Sequence, residues 1–122
     1  MRISEAESIV MEALWRHSPL SAEEVAAAVA AQDWQEATVK TLLNRLLKKK
    51  AIRAEKDGRR YLYAPVLQRE AWVLEESQGL LQRLFGGRVA PLVAHFSEHR
   101  KLSRKDIAEL RRLLEELDDG RR

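Results

Sequence analysis

The chain has 122 residues, 34 % of them charged and 45 % hydrophobic, and a formal net charge of +3; that is one domain, or a small domain with an appendage, able to bury a core without staples and too apolar for disorder. The absence of cysteine excludes disulfide scaffolds, zinc ribbons, iron–sulfur sites and thiol nucleophiles, and fits a reducing, cytoplasmic setting. No apolar run reaches the roughly 20 residues of a membrane span, no signal-peptide pattern opens the sequence, and five glycines with three prolines suit neither phosphate-cradling loops nor turn-rich all-β folds.

The first helix is expected near 4–17. Ser4 and Glu7 form a capping-box pattern, and Ala6, Ile9, Val10, Ala13 and Leu14 recur as one apolar stripe. Ser18-Pro19 ends it, because proline cannot continue a helix. His17 stands at that end, where an imidazolium suits the helix dipole. A second helix starts at Ser21, with a second capping box to Glu24 and Leu20 and Val25 in staple positions. Its apolar face is Val25, Ala28 and Val29. The third helix covers roughly 36–50, where Val39, Leu42, Leu43, Leu46 and Leu47 keep helical spacing without a miss. Two starts remain open for it: a capping box from Asp33 to Glu36, or a cap at Gln35 with Trp34 and Val39 as a staple.

The periodicity then changes from helix to strand. Ile52 to Lys56 and Tyr61 to Ala64 flank Asp57-Gly58-Arg59-Arg60, and aspartate–glycine is a strong hairpin signal. Pro65 closes the hairpin. Helical spacing returns over 67–84, with Trp72, Leu80, Leu81 and Leu84, and Gly86-Gly87 breaks it. A shorter helix is expected over 89–99. Ser103 caps the last one through Asp106, with the stripe Ile107, Leu110, Leu113, Leu114 and Leu117. Trp15 is expected against the second or third helix.

Three short helices and a hairpin follow the plan of a winged helix-turn-helix, in which the second helix of the pair enters the major groove. The fold class is therefore mainly α with a small β-hairpin. A winged-helix domain over 1–66 precedes a C-terminal helical dimerisation module over 67–122. Charge is segregated in the same sense. Residues 1–39 hold two basic groups against seven acidic, 40–60 nine against two, and the remainder eleven against ten. One short stretch thus carries the basic character, as a nucleic-acid contact requires. The polar face of the third helix shows Thr38, Lys40, Thr41, Asn44, Arg45 and Lys48. Arginine donates twice to guanine, asparagine pairs with adenine, threonine offers a methyl to thymine, and lysine suits phosphate. Lys56, Arg59 and Arg60 at the hairpin tip complete the candidate DNA-binding set.

The residues from Ile3 to Pro65 resemble the penicillinase-repressor family of winged-helix regulators. The likeness is carried by Ser4-Glu5-Ala6-Glu7, Leu14-Trp15, Ser21-Ala22-Glu23-Glu24-Val25 and Trp34. It continues through Thr38-Val39-Lys40-Thr41-Leu42-Leu43-Asn44-Arg45-Leu46 and Lys56-Asp57-Gly58-Arg59-Arg60-Tyr61-Leu62-Tyr63-Ala64-Pro65. The tail is similar at Leu92-Val93-Ala94-His95-Phe96 and from Leu102-Ser103 to Leu110. The resemblance implies a homodimeric transcriptional repressor on a palindromic double-stranded operator, with Thr38, Thr41 and Arg45 facing DNA. It places the dimer in the C-terminal helices, where the candidate interface residues are Trp72, Leu80, Leu84, Phe96, Ile107, Leu110, Leu113, Leu114 and Leu117. Two departures stand out. Gln35 replaces the serine or threonine common in the family, and the cysteine-rich copper site of some members is absent. Antibiotic-responsive members are inactivated by cleavage at an asparagine–phenylalanine bond, and His95-Phe96 occupies the matching place. A regulatory protease or sensor is thereby implied as a partner.

Two other classes of function remain open from sequence. One is a winged-helix adaptor that binds protein without DNA. The other is a metal-sensing regulator using His95 and His99, whose spacing puts both imidazoles on one helix face. No third ligand is evident, and no metal or cofactor is expected. No glycine-flanked serine elbow or comparable nucleophile is present, so an enzyme is not expected.

Overall fold

The computed structural model describes residues 1–120; Arg121 and Arg122, the end of the expected C-terminal module, lie outside the described residues. The chain divides into two compact units, Met1–Glu75 and Glu76–Arg122. The first contains α1 (Glu5–Arg16), β1 (Leu20–Ser21), α2 (Ala22–Ala28), a 3-10 turn (Ala30–Gln32), α3 (Glu36–Lys48), β2 (Ile52–Asp57) and β3 (Arg60–Pro65). Helix α4 (Arg69–Phe85) begins in the first unit and ends in the second, which also holds α5 (Val89–Glu98) and α6 (Arg104–Gly120).

All three expected capping boxes form. Ser4 N–H donates to Glu7 at 2.8 Å and Glu7 N–H to Ser4 Oγ at 3.1 Å. Ser21 and Glu24 exchange the same bonds at 2.8 and 3.2 Å, and Ser103 and Asp106 at 3.2 and 3.0 Å. Each pair satisfies backbone donors that a helix start otherwise leaves free. Helix α3 settles on the Gln35 start, with no side-chain cap bond. Asp33 is in the left-handed region at φ 56°, outside the geometry of a capping residue. Trp34 instead packs against the core, as a staple requires.

The core of the first unit is the set of stripes meeting face to face. Val10, Met11 and Leu14 of α1, Val25 of α2, and Val39, Leu43 and Leu46 of α3 are buried, with Ala51 and Ile52 below them. Each large aliphatic side chain so buried is worth about 1.5–3 kcal/mol relative to exposure. Met11 joins the α1 stripe that sequence spacing had left without it, while Ala28 is exposed and Ala26 faces the core in its place. The hairpin registers Asp57 opposite Arg60 and Ile52 opposite Pro65, and Gly58 takes the positive φ of 66° in the turn. A third strand was not expected. Leu20 and Ser21 pair with Tyr63 and Leu62, which makes an antiparallel sheet in the order β1-β3-β2. The sheet thus anchors the wing to the start of α2.

The first turns of α4 belong with the winged helix, beyond residue 66. Trp72 lies on Trp15 with ring centroids 5.6 Å apart, Trp15 Nε1 donates to the Leu67 carbonyl at 2.8 Å, and Arg69 pairs with Glu12 at 2.8 Å. The ring partner of Trp15 is therefore on α4 rather than on the second or third helix. By the same contacts Trp72, a candidate dimer-interface residue, is engaged within the first unit. In the second unit α5 and α6 contain no buried residue, and Leu80, Leu84, Phe96, Ile107, Leu113, Leu114 and Leu117 are exposed. Leu110 is half-buried. Among the described residues no helix is long and apolar enough to cross a membrane.

Candidate nucleic-acid interface

Val39, Leu42, Leu43 and Leu46 of the α3 stripe are buried and Leu47 packs half-buried against the core, so the opposite face is left to solvent. Thr38, Lys40, Thr41, Asn44, Arg45 and Lys48 are all exposed on it. The helix is therefore held by its core contacts and free to meet a ligand with its polar side. Thr41 Oγ1 donates to the Ala37 carbonyl at 2.9 Å. That bond commits the hydroxyl proton to the backbone and leaves the methyl and the oxygen lone pairs to present outward. Lys49, next to Lys48, is not on this face. Its Nζ donates to Glu7 at 2.6 Å and to the Arg2 carbonyl at 2.8 Å. Of the three consecutive lysines, the middle one is thus an internal tie.

The wing carries Lys56, Arg59 and Arg60, all exposed. They are not equivalent. Arg60 Nε and Nη2 both donate to Asp57 Oδ2 at 3.3 Å. Arg60 also bears on Glu24: hydrogen bonds from Ser21 hold that carboxyl below the usual carboxylate range against the opposing effect of desolvation, and the Arg60 charge lowers it further. Between α2, α3 and the wing lies a cleft of about 330 Å³ whose walls include Ser21, Glu23, Glu36, Lys40, Arg60 and Tyr61. Glu36 and Lys40 stand 3.9 Å apart across one helical turn. Residue types alone single out the basic, amide and threonine side chains of this surface and do not mark Glu23, Glu36 or the exposed Tyr61. The signal was available for Glu36, which is the first residue of α3 and its only acidic one.

The face combines side chains of the types that suit phosphate (lysine) and base edges (arginine, asparagine and threonine). Among the described residues no group of three histidine, aspartate or glutamate side chains is placed to hold a metal ion. His95 and His99 of α5 do lie together, with ring centroids 4.6 Å apart, but as a pair. Phe96 beside them is exposed and sits inside α5.

The family model described as penicillinase repressor matches residues 3–116. A penicillinase repressor of Bacillus licheniformis is 34 % identical over 116 residues, covering 94 % of this chain and 91 % of that protein. A penicillinase repressor of Staphylococcus aureus is 32 % identical over 120 residues, covering 96 % of this chain and 94 % of that one. Among solved structures, the monomeric form of the Bacillus licheniformis repressor BlaI in complex with the blaP half-operator is 35 % identical. It superposes with a TM-score of 0.50 over 57 % of this chain and 87 % of that one.

Proposed function

This chain belongs to the penicillinase repressor family, and from that premise we propose that it is a cytoplasmic, DNA-binding transcriptional repressor, not an enzyme, acting as a homodimer on a palindromic operator. The observation that carries the reading is the exposed α3 face. Thr38, Lys40, Thr41, Asn44, Arg45 and Lys48 all lie on the solvent side of a helix whose other side is locked into the core. The half-operator complex of the 35 % identical BlaI supports DNA as the ligand.

Homodimerisation is supported by the second unit. Helices α5 and α6 bury none of their residues, yet α6 alone exposes Ile107, Leu113, Leu114 and Leu117. Contiguous apolar surface of that kind is covered by a partner in a stable protein. A second copy pairs the same patch with itself under two-fold symmetry, which matches two recognition helices to two half-sites. Derepression acts on this unit in the proposed scheme. A regulatory protease cutting at His95-Phe96 would separate α6 from the DNA-binding unit and end the tethering of the two halves. Because that bond lies within α5, the helix must open locally before cleavage.

The test is selection of duplexes from a random pool, followed by a salt series on the enriched sequence. The expected result is a palindromic consensus whose binding weakens steeply with salt. No enrichment and no duplex binding at low salt would leave the protein-only adaptor as the reading.

A further inference from the structure

We infer that Glu36 is a specificity-determining residue of the DNA-reading helix, accepting a hydrogen bond from a base amino group, cytosine N4 or adenine N6, in the major groove. The inference rests on the DNA-binding reading above and goes beyond it, because no basic-patch argument calls for a carboxylate at this position. Glu36 is the first residue of α3 and its only acidic one. In helix-turn-helix proteins the N-terminal residues of the recognition helix are those that approach base edges. Glu36 also forms part of the wall of the cleft between that helix and the wing, together with Lys40, Arg60 and Tyr61.

A carboxylate on this surface carries a cost. Phosphates are anionic, and the stretch 40–60 that follows is strongly basic. Glu36 therefore weakens binding to every sequence alike unless it meets a donor. The major groove has such donors only at cytosine N4 and adenine N6; the other edge groups there are acceptors or a methyl. The intrahelical partner does not use up the carboxylate. Lys40 Nζ is 3.9 Å away, an ion-pair distance outside hydrogen-bond range, and both side chains are largely exposed. Glu36 keeps its lone pairs for an outside donor, while Lys40 limits the repulsion from the nearest phosphates. The result is a filter: a penalty on all DNA that only the matching base pair relieves.

The test runs the random-pool selection in parallel on the full wild-type chain, on Glu36→Gln and on Glu23→Gln. Affinity for an unrelated duplex is measured at one fixed salt concentration. Glu36 is exposed and caps nothing, so its variant keeps the fold, which circular dichroism checks. The expected wild-type consensus has cytosine or adenine at one position in each half-site. Glu36→Gln is expected to raise affinity for unrelated duplex and to relax that one position by about five- to tenfold, the low end of a mismatched base pair's cost. A cytosine preference is expected to relax toward adenine, since glutamine offers adenine a bidentate pair. Glu23→Gln, on α2 in the same cleft, is expected to leave the consensus unchanged. An identical consensus for wild type and Glu36→Gln overturns the inference and leaves the DNA-binding reading standing. The same relaxation with Glu23→Gln also overturns it, because the effect would then belong to the charge of the cleft. A wild-type chain that enriches no sequence removes both readings together.

Discussion

Lys49 Nζ lies 2.6 Å from Glu7 Oε1, so the C-cap of α3 is tied to the first turn of α1. The pair is unequal. Glu7 is 1 % exposed, whereas the Lys49 side chain is 38 % exposed. The Glu7 oxygen that Lys49 reaches also accepts from the Ser4 N–H, while its Oε2 is buried without a partner among the described residues. One side chain thus closes the capping box of α1 and holds the C-cap residue of α3. It also explains why Lys49 is withdrawn from the surface that Lys48 shares.

Stability is expected to fall in acid through this pair. Burial on its own would raise the Glu7 carboxyl, but the hydrogen bonds from Lys49 and Ser4 and the Lys49 charge outweigh it, and the carboxyl is held below its ordinary value of 4.5. A group lowered on folding contributes stability above its unfolded value and loses that stability as pH falls through the folded one. The urea midpoint of the chain is therefore expected to hold above about pH 5 and to drop below it. Glu7→Gln is expected to be less stable near neutrality and to show a shallower acid loss. An acid slope equal to that of the wild type would assign the loss to other carboxylates.

Arg45 and Lys48 lie on the same exposed face and are expected to differ in what they read. Arg45→Ala should weaken the selected operator by about 1–3 kcal/mol and unrelated duplex much less, as loss of a bidentate guanine contact does. Lys48→Ala should weaken both by similar amounts, because a phosphate is present in every sequence. Binding titrations of both variants on both duplexes decide it. Parallel losses in all four measurements would remove the division and make both residues phosphate contacts.

The two wing arginines are expected to separate in a salt series. Arg60 already shares its charge with Asp57 at 3.3 Å, and no ion pair holds Arg59 among the described residues. Arg59→Ala should reduce the slope of log affinity against log salt by about one. Arg60→Ala should reduce it by less, because Asp57 offsets part of its charge before DNA arrives. A larger loss of slope at Arg60 than at Arg59 would mean that DNA displaces Asp57.

What the sequence made legible was what is local. A capping box spans four residues, so Ser4–Glu7, Ser21–Glu24 and Ser103–Asp106 could each be read in place, and an apolar stripe repeats within a turn. The hairpin was legible from Asp57-Gly58 for the same reason. Contacts between distant residues left no such trace. Strand β1 exists because Leu20 and Ser21 meet Tyr63 and Leu62. Trp15 finds Trp72, and Glu7 finds Lys49, across tens of residues with no periodic signal. The same limit applied at the interface. The exposed residues of α3 followed from its stripe, but the cleft wall that Glu36 shares with Arg60 and Tyr61 depended on how the wing is placed.

Fragments ending after Glu75 and after Pro65 are expected to behave differently, and the difference locates both the fold boundary and the dimer. A chain ending at Glu75 keeps Trp72 on Trp15, the Trp15–Leu67 hydrogen bond, the Arg69–Glu12 pair and the Met1 amine on Glu75 at 2.8 Å. A chain ending at Pro65 loses all four and exposes Trp15. The aromatic pair alone is worth about 0.5–1.5 kcal/mol beyond its buried area. The shorter fragment should therefore unfold at lower urea. The longer one should be folded and monomeric by sedimentation, because the exposed leucines of α6 have gone with Glu76–Arg122. It should bind a single half-site about as well as the full chain does, and the complete operator more weakly by about 10²–10⁴, the gain that tethering gives a second contact. Self-association of the longer fragment as strong as that of the full chain would move the dimer contacts into the DNA-binding unit, and the apolar face of α6 would then need another partner.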